Sequence, residues 1–159
     1  MSWAVINLIE EIKDRITKAK TDGNASFKAI YIGGFEHHRK ENDYPLVVIQ
    51  VDRVNLNAEC MKWGVTDESN ISIHYITNTK DNVLNNMYDT SDSSGLMYEL
   101  AVIMNYLEKN KTTGVIDLSM GGTVYNLSSN DISFRYVNNL ILATISYSVK
   151  TAEYQRGAR

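Results

Sequence analysis

Two adjacent histidines stand among acidic and basic residues in the stretch FEHHRKENDYPLVVIQ, positions 35 to 50. Glu36, His37 and His38, together with the distant His74, are the side chains that could gather around a metal ion. Adjacent histidines in an extended chain point to opposite sides, and the H-E-x-x-H spacing that puts two imidazoles on one helical face is missing. Zinc needs three or four good ligands. The sequence therefore favours a hydrated loop over a metal site, and we predict no metal and no cofactor.

Acid and base chemistry has four carboxylate candidates in and after this stretch, namely Glu36, Glu41, Asp43 and Asp52. A catalytic carboxylate needs an enclosed pocket that shifts its pKa, whereas a polar loop is open to water. Cys60 is the single cysteine, and as a nucleophile it would need a histidine that meets it in space. The sequence also lacks a nucleophile elbow and the glycine motifs of phosphate or dinucleotide binding. We predict no catalytic residues and no enzyme.

Composition narrows the class of protein further. The chain has 159 residues, which fits one domain, 1–159, with its own core. Its 16 basic and 19 acidic residues give a net charge of −3, which argues against a protein whose main task is to grip nucleic acid. The sequence shows no secretory signal and no apolar run long enough to span a bilayer, so we expect a cytoplasmic protein without membrane contact.

The first half of the chain predicts one helix and three strands. Apolar residues at helical spacing predict an amphipathic helix over residues 3–19, which Asp22 and Gly23 should end. A strand up to the Gly33-Gly34 pair should follow. Pro45 then leads a strand so rich in β-branched residues that both of its faces should be covered. After a polar connection over 55–70, alternating residues predict a third strand with one wet face.

The second half of the chain predicts a long loop, one helix and four strands. The loop spans 80–94, and the apolar spacing that follows it predicts a helix from Gly95 to Asn110. Gly-Gly and Asn-Asn pairs between alternating runs are typical of hairpins. The fold class is therefore α+β, with a mostly antiparallel sheet of about seven strands packed against an N-terminal helix and one central helix. The last residues, 151–159, are a candidate for a flexible tail.

The order of these elements resembles a known family. An N-terminal helix, a strand, the Pro-led strand Asp43-Tyr44-Pro45-Leu46-Val47-Val48-Ile49, a further strand, one central helix and closing hairpins are similar to the tail terminator and tail-completion (neck) proteins of long-tailed bacteriophages. The final run from Asn139 to Tyr154 resembles the long last strand of that family. The resemblance covers nearly the whole chain and rests on length, order and pattern.

This resemblance implies a structural virion protein that is assembled in the host cytoplasm. Such a protein forms a homo-oligomeric ring, usually a hexamer, on the head-proximal end of the tail tube and presents a surface to the head-side connector or other neck proteins. DNA would only pass through the channel as cargo. Heterologous contacts between copies close into a ring when the rotation between neighbours allows it. Loop 80–94 and tail 150–159 are the expected contact surfaces, with Asp89, Asp92, Arg156 and Arg159 as interface charges.

Two alternatives remain beside the terminator hypothesis. One is a neighbouring role in the same particle, such as a head completion protein or a tail tube protein, because these also use small α+β folds. The other is a small metal-dependent or cysteine hydrolase that uses Glu36, His37, His38 or Cys60. Bound metal after purification, or an activity that depends on the histidines, would favour the hydrolase.

Overall fold

A computed structural model describes residues 3–34, 44–61, 64–78, 95–108, 115–117, 123–137 and 140–154. Two helices and six strands make up the described part. In chain order they are α1 (Trp3–Thr21), β1 (Ala29–Ile32), β2 (Leu46–Met61), β3 (Gly64–Asn78), α2 (Leu96–Leu107), β4 (Val115–Asp117), β5 (Thr123–Val137) and β6 (Leu140–Tyr154). The prediction of the α+β class is therefore confirmed.

The strands form a single mixed sheet in the order β1-β2-β3-β6-β5-β4. β1 pairs with β2 in parallel, from Ala29 opposite Leu46 to Ile32 opposite Ile49, and the other four pairings are antiparallel. The prediction of a mostly antiparallel sheet is corrected to a mixed one, because β1 and β2 run in the same direction. A strand, a loop and a strand in sequence do not reveal whether the two strands pair in parallel or antiparallel.

The described strands number six, so the prediction of about seven is wrong. Two of the four strands predicted for the second half of the chain, TVYNLSS (123–129) and ISFRYV (132–137), belong to one strand, β5. Register shifts against β6 between Tyr125 and Ser128, and between Ser129 and Asp131, absorb the irregular stretch. Such bulges let a strand pass through a turn-like sequence without ending.

The polar connection expected over 55–70 is wrong as well. β2 and β3 form one long hairpin in which Met61 lies opposite Gly64. The two-residue connection is Lys62-Trp63, which lacks the Gly or Asn that usually mark such turns. Residues 151–154, expected in a flexible tail, also lie in the sheet, since Gly64 pairs with Tyr154 at the end of β6.

The helix predictions agree with the structure apart from their ends. α1 ends at Thr21, and Gly23 adopts a φ of 79°, which glycine reaches at little cost. The amides of Asp22 and Asn24 bond back to the carbonyls of Lys18 and Ala19, at 2.8 and 3.0 Å. α2 is shorter than predicted and begins at Leu96, with Gly95 in an extended conformation before it.

The two helices cover one face of the sheet, which we call the core face. Apolar side chains of both helices and of the central strands form one buried cluster there, with Leu8, Ile12 and Ile16 from α1, Leu100, Ile103 and Leu107 from α2, and Ile73, Ile145 and Tyr147 from the strands. Side chains alternate along each strand, so neighbouring residues point to the opposite face, which we call the polar face. At one end of the polar face, Leu46, Val48, Ile76 and Leu142 form a second, small apolar cluster.

Candidate functional site

Most of the side chains that the sequence nominated for chemistry or contact lie outside the described residues. These are Glu36, His37, His38, Glu41 and Asp43 before β2, and Asp89, Asp92, Arg156 and Arg159 in the predicted contact segments. The backbone of Cys60 lies in β2 opposite Val65. Asp52 and His74 are the two nominated residues whose side chains are described, and the structure brings them into one cluster on the polar face.

This cluster, the polar network, consists of Gln50 and Asp52 from β2, Ser72 and His74 from β3, and Thr144 from β6. The register of the sheet brings them together, because Gln50 pairs with Ser72 and His74 pairs with Thr144. Ser72 and His74 were expected on a wet face, yet they are 7% and 9% exposed. Their positions on a central strand explain this burial, since side chains of both neighbouring strands stand beside them.

The hydrogen bonds of the polar network form a continuous chain. His74 Nδ1 lies 2.8 Å from Thr144 Oγ1, and His74 Nε2 lies 3.1 Å from Gln50 Oε1. The Gln50 amide nitrogen donates to Asp52 Oδ1 at 3.0 Å. Ser72 donates its hydroxyl to the other carboxylate oxygen of Asp52.

These contacts determine the tautomer of a neutral His74. An ionised carboxylate only accepts, so Gln50 must point its NH₂ group at Asp52 and its carbonyl oxygen at His74. Nε2 of His74 therefore carries the proton and donates to Gln50. Nδ1 then accepts the hydroxyl hydrogen of Thr144, and every group in the chain has a partner of the right kind.

The charge state of His74 follows from its burial. Burial lowers the pKa of His74, the nearby carboxylate of Asp52 opposes this shift, and the guanidinium of Arg135 adds to it. A lowered pKa favours the neutral imidazole, which is the form that the hydrogen bonds of the polar network require. Geometry and electrostatics therefore agree.

The polar network contains a serine, a histidine and an aspartate but not the arrangement of a nucleophilic triad. In a triad the histidine accepts the proton of the serine and the aspartate orients the histidine. Here Ser72 donates to Asp52, and both ring nitrogens of His74 bond to other residues. The network thus satisfies its own polar groups and stabilises the sheet, and neither imidazole nitrogen of His74 is directed at Ser72.

Polar contacts continue along the same face toward the tip of the β2-β3 hairpin. Asn130 donates to Ser148 at 2.9 Å, and Ser148 donates to Asn70 at 3.2 Å, which links β5, β6 and β3. Beside them a shallow groove of about 140 Å³ is lined by Arg53, Asn55, Glu68 and Asn70. Within the described ranges, no three His, Cys, Asp or Glu side chains gather in a way that could hold a metal ion.

On the core face, charged residues of the helices hold backbone segments in place. Glu99 of α2 is 2% exposed, and its carboxylate accepts the backbone amide of Ser26 at 3.0 Å and the hydroxyl of Ser26 at 2.7 Å. Glu108 accepts the amide of Ser129 at 2.8 Å, next to the irregular part of β5. Neither residue stands out in the sequence, because a glutamate in or just after a helix gives no signal of a partner 73 or 21 positions away.

Buried tyrosines lie close to these two glutamates. Burial raises the pKa of Tyr75, and the carboxylate of Glu99 raises it further. Burial and Glu108 act on the pKa of Tyr147 in the same way. Both phenols therefore stay protonated throughout the physiological range, and neither is a candidate base.

The sheet has an open edge on each side within the described part of the chain. β1 covers β2 only from Leu46 to Ile49, and β4 covers β5 only from Thr123 to Tyr125. The outer edges over residues 50–61 of β2 and 126–137 of β5 pair with no described strand. An unpaired edge presents a row of backbone donors and acceptors, which is a template for another strand.

Several large apolar side chains are exposed at the surface. Tyr136 near the end of β5 is 61% exposed, and Ile32 of β1 and Leu56 of β2 are 40% and 51% exposed. On α1, Trp3 is 68% exposed and Ile6 is 38% exposed. The three strand residues lie at or beside the lateral margins of the sheet, where contacts with another chain could cover them.

Comparison with protein-family models and with curated proteins finds no match to this sequence. Neither α1 nor α2 combines the length and the apolar character that crossing a membrane would require. The features that bear on function are therefore those of the chain itself, namely a self-satisfied polar network and a sheet with two open edges.

Proposed function

We propose that this chain is a structural assembly protein of a long-tailed bacteriophage, a tail terminator. It forms a homo-oligomeric ring at the head-proximal end of the tail tube and joins the tube to the neck. A helix, three strands, a second helix and three strands follow one another in the described part, and this order supports the proposal. It matches the order on which the resemblance to the terminator family rests as far as the second helix, after which three strands stand in place of the closing pair of hairpins.

The observation that supports assembly most directly is the pair of open edges on opposite sides of the sheet. The open parts of β2 and β5 each contain 12 residues, which corresponds to about 40 Å of strand. Long unpaired edges are a liability in a protein that acts alone. A contact between two different surfaces of identical copies is heterologous, and such contacts generate rings when they close.

The polar network supports a structural role over a hydrolytic one. Its serine and histidine bond to other partners, as described above, so the cluster is arranged for stability. The net charge of −3 supports a channel through which DNA passes without adhering to the wall. Within this proposal the partners are further copies of the chain, the tail tube protein and the head-side connector or neck proteins, and the location is the virion.

The first experiment measures the absolute mass of the purified protein by light scattering over a concentration series, with electron microscopy and metal analysis of the same samples. We expect a closed ring, with six subunits as the resemblance implies, or a monomer that becomes a ring as concentration rises. Open stacks of rings would favour the tail tube alternative. A strict monomer with stoichiometric zinc would contradict the proposal and favour the metal-dependent hydrolase.

A second experiment tests the tail. The structure sharpens the choice of truncation, because β6 continues to Tyr154 and a deletion of residues 155–159 leaves the sheet whole. We expect this deletion, which removes Arg156 and Arg159, to weaken joining of purified tails to heads in a complementation assay. Replacing both arginines with lysine keeps the charge and is the matched control. Unchanged assembly and joining after the deletion would remove the tail from the proposed contact surfaces.

A further inference from the structure

The two open edges have directions that allow them to pair with each other. β2 and β6 run in the same direction, and β5 runs opposite to both, because β3 lies between β2 and β6 and each step across these strands is antiparallel. When a second copy continues the sheet beside the first, its β2 therefore lies antiparallel to the β5 of its neighbour. Antiparallel pairing is also the more stable type of strand pairing.

The short edge strands leave room for this contact. β1 occupies the beginning of β2, and β4 occupies the beginning of β5. In an antiparallel pair the two beginnings lie at opposite ends. The β1 of one copy therefore lies beyond the end of the neighbour's β5, and β4 lies beyond the end of β2. The 12 open residues of one strand then face the 12 open residues of the other.

The face of the sheet to which each side chain points selects the register between β5 of one copy and β2 of the next. Residues that lie opposite each other must point to the same face of the joined sheet. When the two open stretches overlap fully, position 137 of one copy lies opposite position 50 of the next. Tyr136 then lies opposite Val51 on the core face, because these residues pair inside their own copies with Ile141 and Ile71. This rule selects the register at Gln50 and Val51, which precede the register shift of β2, and there a slip by one residue would place each side chain opposite one on the other face.

The same register brings opposite charges together on the polar face. Arg135 of one copy lies opposite Asp52 of the next, and both side chains are exposed in the single copy. On the core face the exposed ring of Tyr136 meets the half-buried Val51. Pairs of opposite charge, and of aromatic with β-branched side chains, are the cross-strand pairs that stabilise antiparallel sheets.

We infer that a second copy of this chain is the occupant of each open edge, with β5 of one subunit paired antiparallel to β2 of the next so that Arg135 faces Asp52 and Tyr136 faces Val51. This inference rests on the proposed ring and names the contact that builds it. Both open strands carry register shifts against their inner neighbours. Bulged strands bend and twist more strongly, which gives successive subunits the rotation that a closed ring requires.

A charge exchange tests the contact. Arg135→Asp alone and Asp52→Arg alone each place like charges opposite each other, and we expect each to raise the concentration at half assembly about tenfold or more. The double variant restores the pair with its signs exchanged and should assemble again. Within one copy β3 and β6 separate β2 from β5, which keeps the two residues at least about 14 Å apart, so the rescue must come from a neighbouring copy.

Matched controls distinguish this contact from general effects. Arg53→Asp changes an adjacent charge that the register does not place opposite Asp52 or Arg135, and Ile6→Lys adds a charge to an exposed apolar position on α1. Neither control should change assembly by as much as the Arg135→Asp variant. If single reversals assemble as well as the wild type, or if the double variant shows no rescue, the inferred contact is overturned while the ring proposal stands.

Hydrogen exchange of the unmodified protein gives an answer even if a variant fails to fold. Amides over 131–137 and over 50–56 should both exchange more slowly in the assembled protein than in dilute monomer. Slowing at only one of these edges, with a dimer as the largest species, would mean that two identical edges pair and would overturn the inference. A wild type that stays monomeric at every concentration would instead overturn the proposed function itself.

Discussion

The core face and the polar face of the sheet are built from the same strands and are stabilised in different ways. On the core face, apolar side chains such as Ile73 and Ile145 pack against two helices. On the polar face, residues one position away, such as His74 and Thr144, bond to one another. Burial of apolar surface depends on packing, whereas the polar face depends on each donor meeting an acceptor.

This comparison shows what each face contributes to function. The core face defines the fold of one subunit, because its helices need a continuous apolar surface. On the polar face the central side chains bond to one another, so these bonds alone satisfy them within the described part of the chain. The lateral margins belong fully to neither face, and there the proposed subunit contact lies.

The largest difference between the two faces should appear in the unfolding free energy that is lost when neighbouring residues of β6 are replaced by alanine. Ile145 is fully buried on the core face, and Ser146 points to the polar face. Ile145→Ala should lower the free energy of unfolding by about 2–5 kcal/mol, because it removes packing and leaves a cavity. Ser146→Ala is the matched control and should change it by less than about 0.5 kcal/mol. Urea unfolding of monomeric protein measures both, and equal losses would refute the distinction.

Removing the buried carboxylate of Glu99 on the core face should have a smaller effect on the free energy of unfolding. Glu99→Ala leaves the amide and the hydroxyl of Ser26 without their acceptor, which should cost about 1–3 kcal/mol of unfolding free energy. Glu99→Gln keeps an acceptor and should lose less than Glu99→Ala. Glu10→Ala on the exposed side of α1 is the control and should have little effect. If Glu99→Ala matches this control, the contact with Ser26 contributes nothing to stability.

The smallest effect should be the pH dependence of the stability of the protein that His74 on the polar face causes. Since burial lowers the pKa of His74 in the folded protein, the unfolded chain binds the proton more readily. The contribution of His74 is therefore complete above its ordinary pKa of 6.5 and is lost as the pH falls through the folded-state value. Unfolding midpoints at about pH 7.5 and about pH 5.5 should differ more in the wild type than in His74→Gln. Equal differences in both proteins would show that His74 does not titrate as its surroundings require.

Local pattern was enough for some elements of the fold and not for others. The apolar spacing of α1 and the Asp22-Gly23 stop predicted a helix that the structure confirms, because both signals act over a few neighbouring residues. The Asn-Asn pair likewise predicted the hairpin in which Val137 lies opposite Leu140. The second half of β2 was missed although Val54, Leu56, Ala58 and Cys60 alternate with polar residues. That alternation was the available signal, and the polar character of the stretch concealed it.

The candidate site was less predictable than the fold. His74 and Asp52 were named as chemical candidates, but their partners on other strands, Thr144 and Gln50 for His74 and Ser72 for Asp52, were not. A single sequence gives no direct sign of which side chains a sheet places side by side. The same holds for the contact of Glu99 with Ser26, which joins α2 to the segment after α1.

The sequence by itself determined the α+β class, the two helices and the alternation that gives each strand an apolar and a polar side. These depend on hydrophobic periodicity and on turn residues, which act locally. The tertiary structure alone decided that β1 runs parallel to β2, that β5 stays continuous through its bulges and that two long edges remain open in the described sheet. Strand pairing joins residues far apart in the chain, and its register depends on which faces are buried together.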